Sequence, residues 1–253
     1  MDHVAIHEIS PSIRVRVTRE IPELDKALDR QVESLWQAAC SRMARGGAGR
    51  LFNGRIFCAD RITPALIEGH LTEYRRVIAQ VEQPALFSRL RQRPLAVCGV
   101  LRCTGGVVFG RRHPDAVYQP GLWQLPPAGS VDCGSVDANG SVDLRAQLLA
   151  ELTEELGLPA NAAILSGPLC MVEHPGSHVC DLGLAMQSSL SGEEILRAHA
   201  AGGNREYAPV TVVPFAAIRA FVQDAGSTLV PPAQIFLERA GLLSPDPALP
   251  PQN

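Results

Sequence analysis

Three glutamates, Glu151, Glu154 and Glu155, stand at i, i+3 and i+4 in a run with helical periodicity. That spacing places three carboxylates on one face of a helix, with Cβ atoms about 5–6 Å apart. Like charges so placed repel by roughly a few tenths of a kcal/mol per pair. They also sit in the last turns of the helix, where the macrodipole favours cations. A divalent cation relieves both costs. Carboxylate oxygens completed by phosphate and water are the ligands that Mg2+ takes, so the chemistry this pattern could serve is metal-assisted attack on a phosphorylated molecule. The competing reading is a solvated acidic face on an amphipathic helix, a common feature of protein surfaces.

The helix is delimited by its own sequence. Leu144, Leu148, Leu149, Leu152 and Leu156 form an apolar stripe, Asp143 is placed to cap the N-terminus, Gly157 to end the helix and Pro159 to stop any continuation. Residues 151–158, Glu-Leu-Thr-Glu-Glu-Leu-Gly-Leu, match the second half of the Nudix box, G-x5-E-x7-R-E-U-x-E-E-x-G-U, where U is a bulky apolar residue. Upstream, Gly121-Leu-Trp-Gln-Leu-Pro-Pro-Ala-Gly129 resembles the strand and glycine turn that lead into that box. The chain thus resembles Nudix hydrolases. The resemblance implies an α/β (α+β) fold, a mixed β-sheet sandwiched between helices. It implies Glu151, Glu154 and Glu155 as catalytic residues and ligands of Mg2+ or Mn2+, and hydrolysis of the diphosphate in a small nucleotide substrate.

The chain departs from the box at three places. Ala150 occupies the arginine position, Val142 occupies the early glutamate position (with Asp143 beside it and Asp132 in the turn), and Gly129 stands seven residues too far upstream. The inserted stretch contains Gly-Ser-Val-Asp three times, at 129–132, 134–137 and 140–143, a composition that predicts a loop. The long N-terminal region, the expanded loop and a helix at 190–203 resemble the Nudix branch that cleaves UDP-glucose and UDP-galactose to UMP and sugar 1-phosphate. The enzymatic alternative is ADP-ribose or coenzyme A pyrophosphatase activity. The non-enzymatic alternative, favoured by Ala150 and Val142, is an inactive nucleotide-binding or regulatory module.

Around the box, the resemblance makes Arg111, Arg112, Tyr118 and Gly129 the substrate-binding candidates. The arginines would contact phosphate, with strand-end solvation as the plain alternative, and Tyr118 would stack on a base or sugar. Trp123 is expected to pack under the box. Glu173 and Asp181 are the candidates for a further carboxylate, as ligand or general base. His174 and His178 flank a glycine turn and are read as lone exposed histidines, with turn residues near a site as the alternative.

The positioning elements follow in chain order. Pro11 precedes an edge strand with Ile13, Val15 and Val17. Pro22 opens a helix to about Ala44 that buries Leu24, Leu28, Val32, Leu35 and Ala39, with Trp36 as core beside them and Gly46-Gly47 at its end. Residues 50–58 are expected to form a hairpin around Asn53-Gly54 or a strand with a tight turn. Between Ile62 and Val81 come a strand and a helix through Leu71, Tyr74 and Ile78, with Arg75 and Arg76 on a solvated face and contact with a phosphate as their alternative. Pro84, Arg89, Arg91, Arg93 and Pro94 mark a boundary. Residues 95–103 form a buried strand, 107–111 return from a glycine turn, and 165–173 and 179–187 pair after the box. Ser191 and Glu194 form a capping box. A strand at 210–213 and helices at 215–222 and 232–242 complete an arrangement of N-terminal α/β extension (1–94), Nudix-like domain (95–243) and frayed tail (244–253).

At 253 residues the chain can bury a large core, and its net charge of −3 and 46% hydrophobic content are those of a soluble globular protein. No basic run points to a nucleic-acid partner, and no segment is apolar and long enough to span a membrane. Seven cysteines without a C-x-x-C pair predict reduced, buried thiols in a cytoplasmic protein. The N-terminus lacks the features of a signal peptide. No feature of the sequence sets an oligomeric state.

Overall fold

Residues 95–103 are apolar without alternation because both faces of their strand are covered. Leu95, Val97, Leu101 and Cys103 enter one hydrophobic cluster, while Cys98 and Val100 enter another on the opposite face. A computed structural model describes residues 4–46 and 51–243. Its strands are β1 (Ala5–His7), β2 (Arg14–Val17), β3 (Arg55–Ile62), β4 (Leu66–Glu73), β5 (Leu95–Thr104), β6 (Gly106–Arg112), β7 (Trp123–Gln124), β8 (Ala128–Ser130), β9 (Ile164–Glu173), β10 (Cys180–Ser191) and β11 (Tyr207–Pro214). Its helices are α1 (Lys26–Gly46), α2 (Tyr74–Glu82), α3 (Phe87–Leu90), α4 (Leu144–Leu156), α5 (Gly192–Gly202), α6 (Ile218–Ala225) and α7 (Pro231–Arg239).

The large sheet is mixed, in the order β1-β9-β10-β5-β6-β11, with β7 on β6 and β8 on β5. The central pair β10–β5 is parallel. Leu148, Leu152 and Leu156 of α4 and Ile195 of α5 pack on one face, while Ile218, Val222, Phe236 and Leu237 of α6 and α7 pack on the other. The expected α/β fold, a mixed sheet between helices, is the one that forms. The capping box predicted at the start of α5 is present, Ser191 accepting from the Glu194 amide and Glu194 from the Ser191 amide.

A second sheet, β2-β4-β3, lies with α1 and α2 in the N-terminal region, with β2 at its edge. Its Val15, Phe57 and Ile67 enter the same cluster as Leu95 and Leu182, so one core runs across the stretch where the boundary was expected. β1 pairs with β9 and belongs to the large sheet.

The inserted loop joins the two sheets. The Phe57 amide donates to the Val131 carbonyl (2.7 Å), Val17 to Gly140 (2.7 Å) and Val142 to Val15 (3.0 Å). The three Gly-Ser-Val-Asp copies repeat one physical device. Val131, Val136 and Val142 turn into the core. Asp132 accepts from the Gly134 amide, Asp137 from those of Asn139 and Ser141, and Asp143 from that of Ala146. Each aspartate thereby satisfies backbone donors that no ladder could reach.

Several expectations are corrected. α1 begins at Lys26 rather than Pro22, because Asp25 caps the Ala27 and Leu28 amides. Asn53-Gly54 is not a hairpin turn. Asn53 Oδ1 accepts from the Arg75 amide at the start of α2, and the turn between β3 and β4 is made at Thr63, whose hydroxyl accepts from the Leu66 amide. Leu71 lies in β4, not in a helix. Arg75 pairs with Asp29 and Glu73, and Arg76 is buried against Glu73 and the Pro22 carbonyl, so neither forms a merely solvated face. Trp36 is buried, as expected of core. All seven cysteines are free, five of them buried, with Cys40 half-buried and Cys133 exposed. Among the described residues no helix is long and apolar enough to cross a membrane. Gly47 and the tail 244–253 lie outside the described residues.

Leu152 is fully buried beneath the helix that carries the glutamates, so Leu152→Ala should destabilise the fold by about 2–5 kcal/mol. Loss of the cap in Asp143→Ala should cost about 1 kcal/mol. Urea unfolding of both variants measures the difference, and equal effects would contradict this assignment.

Candidate active site

The stripe that anchors α4 also decides where its glutamates point. At 3.6 residues per turn, Glu155 lies about 60° from the centre of the Leu148–Leu152–Leu156 stripe, Glu151 about 100° and Glu154 about 160°. Glu155 is accordingly fully buried, Glu151 half-buried and Glu154 exposed. The helix starts at the Asp143 cap and stops at Gly157, whose φ of 65° suits glycine in the left-handed region.

Glu151 lines a cavity of about 630 Å³ between the N-terminal region and the large sheet. Phe52, Tyr74, Val77 and Ile78 form an apolar wall; Arg112, Tyr118, Asp132, Asp181 and Glu206 are among the polar groups on the other side. Glu155 lies below. One of its oxygens, Oε2, accepts from the Ala128 amide at 2.9 Å, while Oε1 is buried with no hydrogen-bond partner. Burial, reinforced by the Glu206 and Glu151 carboxylates, holds the Glu155 pKa well above the usual carboxylate range. Burial likewise pushes Glu151 up to about 7, against a hydrogen bond from Gln147 and with help from Glu206, Glu154 and Asp132.

Gly129 is where β8 must pass close to α4, since a Cβ there would fall 1.9 Å from Glu151 Oε1. Arg112 and Arg111 occupy opposite faces of β6, as alternation requires. Arg112 faces the cavity and contacts Glu206 (3.1 Å), Gln124 (2.7 Å) and the Tyr118 carbonyl (3.0 Å). Burial works against its charge, but Tyr207, Glu206 and Glu155 nearby outweigh it and keep the guanidinium pKa above its ordinary value. Arg111 is exposed, donates to the Gly121 carbonyl and lies over Trp123, away from the glutamates. Trp123 packs on Phe221 on the α6 side of the sheet, not under the box helix.

Tyr118 is brought to the cavity, its hydroxyl 2.9 Å from Ser177 Oγ and 3.1 Å from His174 Nδ1. The far nitrogen of His174 lies 2.5 Å from Asp181. His174 is only 3% exposed, so the expectation of an exposed histidine is corrected; the turn folds it inward against Tyr118 and Asp181. His178 is half-buried, stacked on Phe87 and 2.9 Å from Glu173. The two carboxylate candidates separate. Asp181 lines the cavity. Glu173 is engaged by Arg93, His178 and His7. Burial raises its pKa, but the Arg93 and His178 contacts outweigh it and hold the carboxyl below its ordinary value.

Two contributors escaped the sequence reading. Glu206 precedes β11 in a loop with no periodic signal. Gln147 is four residues before Glu151, a helical pairing that was legible in principle; its Nε2 donates to Glu151 Oε1 at 2.9 Å. Among the described residues no three His, Cys, Asp or Glu side chains are already gathered as a metal cluster. The donor chemistry nevertheless fits a hard divalent cation. The buried Glu155 Oε1 has no hydrogen-bond partner, and Glu151 and Glu206 bring further carboxylates close enough to raise the Glu155 pKa.

No family model matches the chain, and no curated protein matches it. Among solved structures it is similar to a MutT protein from Methanosarcina mazei Go1, at 17% identity over 58% of this chain and 91% of that one, with a TM-score of 0.40. It is similar to RenU, a Nudix hydrolase from M. smegmatis, at 19% identity over 60% and 88%, with a TM-score of 0.41. It is also similar to a C. elegans Ap4A hydrolase, at 14% identity over 58% and 94%, with a TM-score of 0.37.

A carboxyl whose folded pKa is raised contributes stability that is complete below its unfolded pKa and is lost as pH rises. For Glu151 that window runs from the ordinary 4.5 to about 7. The metal-free protein should therefore lose urea resistance across that range, and Glu151→Gln should flatten part of the slope; an unchanged slope would contradict the placement of Glu151. Gly129→Ala should displace the Glu151 carboxylate and alter the same pH slope, while a wild-type slope would show that the close approach is immaterial.

Proposed function

We propose that this chain is a Nudix-type hydrolase that uses a divalent cation to cleave the diphosphate of a nucleoside diphosphate-linked substrate. The observation that carries the reading is the pair Glu151 and Glu155 on one helix, one at the wall of a cavity and the other beneath it with an uncompensated oxygen, opposite the cationic Arg112. The cavity volume of about 630 Å³ lies within the range of small-molecule sites.

Glu151, Glu155 and Glu206 would hold Mg2+ or Mn2+. When bound, such a cation supplies Lewis acidity toward phosphate oxygens and eases deprotonation of the attacking water. Arg112 offsets phosphate charge from the opposite side. Tyr118, its hydroxyl held by Ser177 and His174, would offer its ring to a base or sugar, and Asp181, paired with His174, would accept the proton of the water. Glu154 adds negative charge at the solvent side of the pair.

Within this class the finer proposal is UDP-glucose or UDP-galactose, cleaved to UMP and sugar 1-phosphate. It rests on the resemblance of the N-terminal region, the expanded loop and the 190–203 helix to that branch. ADP-ribose and coenzyme A are the alternative substrates. A nucleotide-binding module without catalysis is the second reading, favoured by Val142, which is buried in the core where the box has a glutamate, and by Ala150.

A panel of UDP-glucose, UDP-galactose, ADP-ribose, coenzyme A and NADH with Mg2+ tests the proposal. UDP-sugars should yield UMP, and Glu155→Gln should lower kcat by about 10²–10³, the scale of a lost electrostatic group. Binding of a nucleotide without turnover by the wild-type chain would establish the binding module instead.

A further inference from the structure

We infer that Gln147 is the positioning residue for Glu151, holding its carboxylate from one helical turn earlier. The inference rests on the hydrolase reading above and deepens it. Gln147 is buried. The Asp132 amide lies 3.1 Å from Gln147 Oε1 and can only donate, so the carbonyl end of the side chain must face it. The NH2 end is thereby committed to Glu151 Oε1 at 2.9 Å. The orientation of the amide is set by a backbone group, and it presents a donor to the carboxylate.

Glu151 is confined on two sides. Gly129 offers no Cβ on one, and Gln147 ties one carboxylate oxygen on the other, leaving Oε2 outside that hydrogen bond. The backbone donor belongs to the first Gly-Ser-Val-Asp copy, whose valine is locked into the core and whose aspartate accepts from Gly134. The insertion that breaks the box spacing thus supplies the anchor that orients its glutamate. Partners that orient a metal-ligating carboxylate typically matter by about ten- to a hundredfold in affinity.

The test compares Gln147→Met and Gln147→Glu in the full-length chain. Mn2+ affinity is read by electron paramagnetic resonance, kcat and KM on UDP-glucose and ADP-ribose, and folding by thermal melting. Met removes both hydrogen bonds. Glu keeps the acceptor for the Asp132 amide, loses the donor and sets a second carboxylate against that of Glu151. Both variants should lose Mn2+ affinity by about ten- to a hundredfold, Glu the more, with kcat falling and the KM for nucleotide little changed. A purely structural brace predicts that Gln147→Glu behaves as wild type, and that result would overturn the inference, as would wild-type Mn2+ affinity in both variants. If Gln147→Met fails to fold, Gln147→Glu alone decides. A wild-type chain that binds Mn2+ but hydrolyses no nucleotide sinks the hydrolase reading, yet the Mn2+ affinities still decide the role of Gln147. A wild-type chain that binds no Mn2+ overturns both.

Discussion

Glu155 has a fully buried carboxylate with one oxygen satisfied by the Ala128 amide and the other by nothing. A buried, half-satisfied acid is expensive in a low-dielectric interior, and the group responds by holding its proton. Much of the surrounding structure keeps that arrangement in place. Three fully buried leucines on one side of α4 prevent the helix from rotating Glu155 outward. β8 must run close enough to offer its amide, which requires Gly129 where the Glu151 carboxylate passes. A site that binds a cation in exchange for a proton is a direct use of such an arrangement.

The second constraint is how the cavity acquires two walls. The large sheet contributes Arg112, Tyr118 and Asp181, and the N-terminal region contributes Tyr74, Val77 and Ile78. Neither wall alone encloses the space. What brings them together is the inserted loop, which makes backbone hydrogen bonds to β2 and β3 while its valines fill the shared core. A polar, glycine-containing stretch thus acts as a structural joint. Its aspartates accept from the Gly134, Asn139, Ser141 and Ala146 amides, so these donors are paired within the loop and the first turn of α4.

The turn after β9 illustrates how burial reassigns residues that look alike in sequence. Glu173 and Asp181 are both acidic residues close to the same turn. Pairing with Arg93 and two histidines consumes Glu173, whereas Asp181 meets one buried histidine and retains access to the cavity. His174 links Asp181 to Tyr118 through its two ring nitrogens, so the aromatic and the carboxylate are held as a unit.

The sequence by itself determined the elements with strong local signals. The α4 helix with its cap and terminating glycine, the doubly buried β5, the α5 capping box and the α/β class all follow from periodicity and end chemistry, which act over a few residues. The tertiary structure decided what depends on long-range approach. Which of the three glutamates points inward was set by the side of α4 that packs. That Arg112 and not Arg111 faces the cavity was set by the register of β6. Glu206 and the N-terminal wall carry no local signal, because their roles arise from neighbours distant in sequence; the i, i+4 pairing of Gln147 with Glu151 was legible, but the Asp132 amide that orients it is a backbone group no residue type encodes.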